Sequence, residues 1–324
     1  MTVALSLLLG AVLVGWLSPR LLHAMLERRV DPTAALAGWT MLVIGCLLTG
    51  ATGLAFAFLP GHGLAPQIVD LLHECWLMLK DGSVPQLHEI ISVASMATGM
   101  LIAGRLIHTY ARHTRHQRRS HRRQTNLLRV AAHPEAGAYT TMWLDHPQPF
   151  AYSIGGTNPA IVATRGLRER LPDTELASVL EHERAHLRGR HHALVGLAKV
   201  LATALPWIPL TQCSPHFVST MVEIAADEHA ARRHGPRTVL SALAALSEGA
   251  PSPPPLALGV ASGHVQLRVQ RLAQQKRHRG RVTRGLNTSL AAVTATVTPL
   301  AFSAAVFLLG TLALCPVLMR LVDG

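Results

Sequence analysis

His182-Glu183-Arg184-Ala185-His186 is the stretch on which the reading of this sequence turns. Pro172-Asp173 opens the segment that contains it, and Leu176, Val179 and Leu180 follow at helical spacing. A helix is expected from there to about Gly189, with Asp173 as its N-cap. Histidines four apart leave one face of a helix and can both reach a single zinc ion. Glu183 follows the first of them and can reach a water on that ion, taking its proton during attack on a carbonyl. Three fixed positions in five also arise by chance on charged helices, so the flanking sequence has to carry part of the argument.

Zinc in a catalytic site takes a third protein ligand and keeps an open position. Two candidates stand in the sequence. The first is His192, because His182 to His192 spells HExxHxxGxxH with Gly189 at the turn, a pattern that also needs a Met-turn below the metal. Met221 is the nearby downstream methionine, inside what reads as a helix. The second is Glu223 in Glu-Ile-Ala-Ala-Asp, where Asp227 shares its face at i+4. There Glu223 would bind zinc, and Asp227 would accept a hydrogen bond from a ligand imidazole and fix its tautomer. This second reading explains why an Ala- and Ile-rich helix carries two carboxylates. His229 and His234 are candidates for stabilising an oxyanion.

Around this core, Tyr139–Asp145, Phe150–Ile154 and Ala160–Thr164 read as strands, with Gly155-Gly-Thr-Asn-Pro as the turn between the last two. Further helices are expected from near Pro215 to His234 and from Arg237 to Glu248. Pro251 to Pro255 reads as a linker, and a basic helix follows with Val265, Val269 and Leu272 on one face.

Outside this polar domain the chain is apolar. Of its 324 residues 49% are hydrophobic and 15% are charged, too few charges for a soluble enzyme of this length. Disorder is excluded by the apolar content. Four scattered cysteines, Cys46, Cys75, Cys213 and Cys315, exclude a disulfide scaffold. Four stretches are candidates to span a bilayer: Thr2–Leu17, Leu36–Leu59, Glu89–Ile107 and about Leu290–Leu318. A fifth, Ala193–Leu210, is shortened by Pro206 and Pro209 and reads as interfacial or buried against the other helices.

The net charge of +12 could suggest a nucleic-acid binder, but its placement argues otherwise. Arg105–Arg129 holds eight arginines and no acid, and Val265–Arg284 holds seven basic residues and no acid. These tracts contain fifteen of the thirty basic residues, and the rest of the chain sets fifteen basic against eighteen acidic residues, a balance of −3. The positive-inside rule then places the first loop, with Arg20, Arg28 and Arg29, and the central domain in the cytoplasm. The N-terminus, the Pro60–His88 loop and the C-terminal tail fall outside. His108, His113, His116 and His121 lie among the arginines and read as a solvated basic face.

Taken together, Pro149-Phe-Ala-Tyr-Ser-Ile-Gly-Gly, Pro159-Ala-Ile-Val-Ala-Thr-Arg-Gly-Leu and Glu175-Leu-Ala-Ser-Val-Leu-Glu-His-Glu-Arg-Ala-His resemble the BlaR/MecR family of membrane metallopeptidases. More distantly they are similar to the HtpX and CAAX prenyl protease family. Leu205-Pro-Trp-Ile-Pro-Leu and Glu223-Ile-Ala-Ala-Asp fit the same pattern. The resemblance implies an α-helical membrane protein with four transmembrane helices and an inserted cytoplasmic α+β gluzincin-like metalloprotease domain. Residues 1–110 would form the membrane domain, 111–285 the protease domain, and 286–324 the fourth span and a short tail. It also implies His182, His186 and Glu223 as zinc ligands, Glu183 as catalytic base and Asp227 as the partner of a ligand imidazole. Phe150, Ala151, Tyr152 and Ser153 would form the edge that pairs with an extended substrate.

Two departures stand out. β-Lactam sensors of the family carry a penicillin-binding domain after the fourth span, whereas this sequence ends at Asp323-Gly324, so direct β-lactam sensing is not expected. The position after Arg190, often acidic in the family, is His191. The function implied is a zinc endopeptidase in a bacterial cell membrane, cleaving itself or a winged-helix repressor of the BlaI type in regulatory signalling. Its other partners would be membrane lipids and a second copy of the chain, with no direct nucleic-acid contact. The contrasting class is a non-catalytic membrane receptor or scaffold whose basic tracts bind anionic lipid or nucleic acid.

Overall fold

The computed structural model describes residues 2–27, 30–58, 87–156, 158–247 and 265–274. The chain begins with a helical hairpin, α1 (Thr2–Glu27) and α2 (Pro32–Phe58), and continues in α3 (Leu87–Ala131). Three helices are long and apolar enough to cross a membrane by length and composition: Ala4–Glu27, Pro32–Ala57 and Ile90–His121. The expected fourth span, Leu290–Leu318, lies outside the described residues, as does the Pro251–Pro255 linker. Leu5, Leu9, Val12, Trp16 and Leu21 of α1 face outward, the pattern of a surface that meets lipid rather than water.

Both outer helices run further than their apolar stretches. α1 passes Leu17 and Pro19, because Leu21, Leu22, Ala24, Met25 and Leu26 are good helix formers and Leu22 is buried. α3, 45 residues in all, carries on through the basic tract, since nothing beyond Gly104 breaks it. Asp31 caps α2 by accepting from the backbone N–H of Thr33 at 3.0 Å and of Ala34 at 3.3 Å.

A four-stranded sheet follows, of β1 (Ala132–Glu135), β2 (Thr140–Leu144), β3 (Ala151–Ile154) and β4 (Ala160–Thr164). The order is β1-β2-β4-β3; β2 and β4 are parallel and the outer pairings antiparallel. β1 has no counterpart in the sequence reading, because Ala-His-Pro-Glu neither alternates nor is rich in β-branched residues; its proline suits an edge strand. β3 forms the opposite edge.

The helices then run α4 (Arg165–Arg170), α5 (Asp173–Arg188), α6 (His191–Ala204), α7 (Pro209–His234), α8 (Pro236–Ser247) and α9 (Val265–Ala273). Asp173 is the first residue of α5, not its cap: Pro172 holds that position with no side-chain hydrogen bond. α7 starts six residues before Pro215 and carries that proline within its second turn. On α9 the inward face is Arg268 and Leu272, while Val269 is exposed, which corrects the expected apolar face.

One core joins the membrane helices to the polar domain. Val14, Leu22, Trp39, Leu42 and Val43 of α1 and α2 pack with Val195 and Leu201 of α6 and with Leu210, Phe217, Val218, Met221 and Val222 of α7. Trp39 donates its indole N–H to Ser214 Oγ at 2.7 Å inside it. The apolar stretch Ala193–Leu210 thus buries one face against other helices, through Val195, Ala198, Leu201 and Leu210, while Leu197 and Trp207 stay exposed. Met221 is a fully buried part of this core, within α7 and not in a Met-turn.

α5 and α7 are also clamped by charge. Glu181 is buried and meets Arg184 at 3.2 Å, Arg188 at 3.1 Å, His229 at 3.0 Å and Arg233 at 2.7 Å. Burial works against its charge, yet these partners hold the carboxyl below its ordinary value. A depressed folded value stabilises the fold at neutral pH, and that contribution is lost as pH falls through it. Glu181→Gln is expected to lower unfolding stability at pH 7 by about 1–3 kcal/mol, measured by urea unfolding in detergent. The difference from wild type should shrink in acid; a difference that grows in acid would contradict the clamp.

Candidate metal centre

α5 and α7 lie side by side, and the site forms where their polar faces meet. His182 and His186 are one turn apart on α5, and Glu223 and Asp227 are one turn apart on α7. One ligand atom each from His182, His186 and Glu223 lie within 4.8 Å of one another. The two Nε2 atoms are 3.1 Å apart, and each is 3.5 Å from a carboxylate oxygen of Glu223.

The outward ring nitrogens are also engaged. His182 Nδ1 is 2.9 Å from Asp227 Oδ1, and His186 Nδ1 is 3.0 Å from His191 Nδ1. Arg268 of α9 reaches in behind: it donates to both oxygens of Asp227, from Nε at 2.6 Å and Nη2 at 2.7 Å, and its Nη1 lies 3.3 Å from Glu223. Glu223, Asp227, His186 and Arg268 are all buried.

This donor set suits a divalent cation. With Nδ1–H of His182 given to Asp227 and Nδ1–H of His186 given to His191, two imidazole lone pairs and a carboxylate oxygen converge on one point. The electrostatics ask for positive charge there. Burial opposes protonation of His182, but the hydrogen bonds and charges of Asp227 and Glu223 outweigh it and push its pKa up to about 10. His186 behaves oppositely: burial and the neighbouring histidines and Arg268 hold it well below its ordinary value, so it is neutral. The two imidazoles are thus held oppositely, one toward its protonated form and one away from it, by the carboxylates on one side and the cations on the other. Burial also disfavours charge on Asp227, but Arg268 and His182 hold its pKa at about 2, so it is an anion at any working pH.

Glu183 sits between this cluster and the sheet. Ser153 of β3 stands beside its carboxylate, where the hydroxyl and backbone N–H favour the charged form. Burial and nearby Glu223 raise its pKa, and His182 and Ser153 pull it back only in part. Along β3 the residues alternate: Ala151 packs toward α5 with Leu167 and Leu176, whereas Tyr152 packs with Leu128, Ile154 and Val162 on the other face. Phe150 stacks on Tyr152 with ring centroids 6.2 Å apart. The outer edge of β3 pairs with no strand among the described residues.

The structure does not bring His192 into the ligand cluster. Its Nε2 is 3.1 Å from Ser153 Oγ, and its ring lies against Gly155, where a Cβ would come within 2.9 Å of it. α5 does end at Gly189, as the longer histidine pattern requires, but the turn aims His192 at β3. His229 is drawn to Glu181, and His234 lies in the last turn of α7, two turns past Asp227. His108 and His116 are exposed, whereas His113 and His121 are half-buried, His113 against Gly196 and His121 near Gly156. Sequence reasoning missed Arg268, which reads as one more charge in a basic tract; it singled out His191 only as a departure from the family's acid, and the structure sets that ring against His186. The only signal for Arg268 is its i, i+4 spacing to Leu272 on a helix whose other basic residues could face solvent.

A membrane-associated protein with a metallopeptidase-like site is the class these features define. Comparison with known proteins agrees: residues 114–214 match the model of Peptidase family M48, a family of metallopeptidases. The matched stretch includes His182, Glu183 and His186 and ends before Glu223, Asp227 and Arg268, which are joined to the site by geometry alone. The chain is also 33% identical over 82 residues to a protein named Protease HtpX homolog from Aquifex aeolicus (strain VF5). That alignment spans 25% of this chain and 27% of the relative.

Among the described residues, Arg268 is the one cation against the buried Asp227 carboxylate besides a protonated His182. Arg268→Met should therefore destabilise the fold by about 3–5 kcal/mol. The measurement is the urea midpoint of the detergent-solubilised chain, and an unchanged midpoint would show that the pair is not buried as described.

Proposed function

We propose that this chain is a membrane-embedded zinc metalloendopeptidase of the gluzincin type, with His182, His186 and Glu223 as ligands and Glu183 as general base. The observation that carries this reading is the convergence of two imidazole lone pairs and one carboxylate oxygen beside a second carboxylate whose pKa is raised. Zinc, when bound there, would acidify a water and polarise the scissile carbonyl.

The chain's own residues do the rest. Glu183 takes the proton that the attacking water gives up and returns it to the leaving amine. Ser153, on the edge strand beside that carboxylate, favours its charged form. Asp227 keeps the proton of His182 on Nδ1, so Nε2 stays a ligand. The open edge of β3, with Phe150, Ala151, Tyr152 and Ser153, offers backbone groups to an extended peptide, which would add as a fifth strand.

The resemblance to BlaR/MecR proteins supports a regulatory role, with the chain itself or a winged-helix repressor as substrate. The excess of basic residues after the third span supports a cytoplasmic site with the N-terminus outside. In that topology a fourth span at Leu290–Leu318 returns the chain across the membrane, and lipid covers the outward face of α1.

Glu183→Gln should cut the rate of β-casein cleavage or self-cleavage by about 10²–10⁴-fold while zinc stays bound. Because the base must be unprotonated and its pKa is raised, the wild-type rate should climb with pH through a value above the ordinary carboxylate range. Undiminished cleavage by the variant, or a rate that falls as pH rises through the acid range, would refute the assignment.

A further inference from the structure

Each of the two helical histidines has a partner on its outer nitrogen, and the two partners differ in kind. His182 faces the Asp227 carboxylate, itself held by Arg268. His186 faces another imidazole: His191 Nδ1 lies 3.0 Å from His186 Nδ1, and the rings meet edge-on at 87° with centroids 5.0 Å apart. Both rings are buried, His186 at 1% and His191 at 6% exposure, so water does not compete for the contact.

Two arrangements of that hydrogen bond exist. If His191 donates, His186 carries its proton on Nε2, aimed at His182 and Glu223, and the converging lone pairs are spoiled. If His191 accepts, the proton of His186 sits on Nδ1 and Nε2 is bare. Only the second is compatible with a cation at this point.

We propose that His191 is a positioning residue of the metal centre, a neutral acceptor that fixes the tautomer and orientation of His186. The proposal rests on the zinc reading above and adds to it a residue that takes no part in binding the metal directly.

The backbone is shaped to deliver this ring. α5 ends on Gly189, Arg190 turns through the left-handed region at φ 49°, and α6 begins at His191. Left-handed backbone is costly for a residue with a Cβ, and its retention at Arg190 marks a turn fixed by its surroundings. The ring of His191 folds back over Gly189, where a Cβ would stand 2.2 Å from Nε2 and 2.5 Å from Cδ2. Gly189 and His191 therefore form one device: the glycine leaves the space that the imidazole fills. The metal centre is thus asymmetric, with an anion behind one histidine and a neutral ring behind the other.

The test uses the full chain in detergent and measures zinc affinity by competition with a chromophoric chelator. His191→Leu removes the acceptor at nearly constant volume and should weaken zinc binding about 10–100-fold. His191→Asn places an amide oxygen where Nδ1 stood and should stay near the wild-type affinity. Gly189→Ala pushes the ring away without touching its chemistry and should move affinity toward that of His191→Leu. Thermal midpoints of the metal-free forms separate these effects from misfolding, and the visible spectrum of the cobalt-substituted forms reports the ligand geometry. Zinc bound as tightly by His191→Leu as by wild type, or as weakly by His191→Asn as by His191→Leu, would overturn this assignment and leave the zinc reading intact. A wild-type chain that binds no zinc would overturn both.

Discussion

The structure depends on one electrostatic constraint: two carboxylates, Glu223 and Asp227, stand one turn apart on a helix buried along most of its length. A buried anion is tolerated only when it is paired and hydrogen-bonded. Asp227 is met by His182 from α5 and by both arms of Arg268 from α9, and Glu223 by both α5 histidines and Arg268. Packing α5, α7 and α9 is therefore inseparable from balancing charge. What remains after that balance is a point where lone pairs converge and a positive charge is wanted, the electrostatic definition of a cation site.

The same constraint links the site to the membrane helices. The first half of α7 is packed between α1, α2 and α6, and its second half carries the carboxylates. α9 spans the same gap: Arg268 enters the site, and Arg271 donates to the carbonyls of Val30 at 2.9 Å and Leu26 at 3.1 Å, at the end of α1. A tilt of the α1–α2 hairpin would be felt by both helices that hold the carboxylate pair. The polar domain thus shares a core with the apolar helices α1 and α2.

Much of this was legible in the sequence, for reasons that can be named. HERAH fixes its own geometry because helical spacing alone puts His182 and His186 on one face. Glu223 and Asp227 stand out because carboxylates at i and i+4 amid Ala and Ile conflict with burial unless something binds them. Strands β2, β3 and β4 show in their turn signals and, for β4, its β-branched residues, and the apolar runs of the first three helices exceed what a soluble core needs. Other features had a weak local signal or none. β1 has neither period nor propensity. Arg268 is chemically identical to its neighbours in a basic tract, and only tertiary packing singles it out. Whether His192 faces the His182–His186 pair or β3 depends on the path of the chain after Gly189, and that path is set by the left-handed turn at Arg190. The ends of α1 and α3 were set by packing and by the lack of a breaker, not by hydropathy.

The account stands most directly on the composition of the metal centre, and zinc content measured by mass spectrometry on purified wild type, Glu223→Ala and His192→Ala decides it. One zinc per chain is expected in wild type and in His192→Ala, with almost none retained by Glu223→Ala. Zinc kept by Glu223→Ala and lost from His192→Ala would contradict the geometry on which the rest is built.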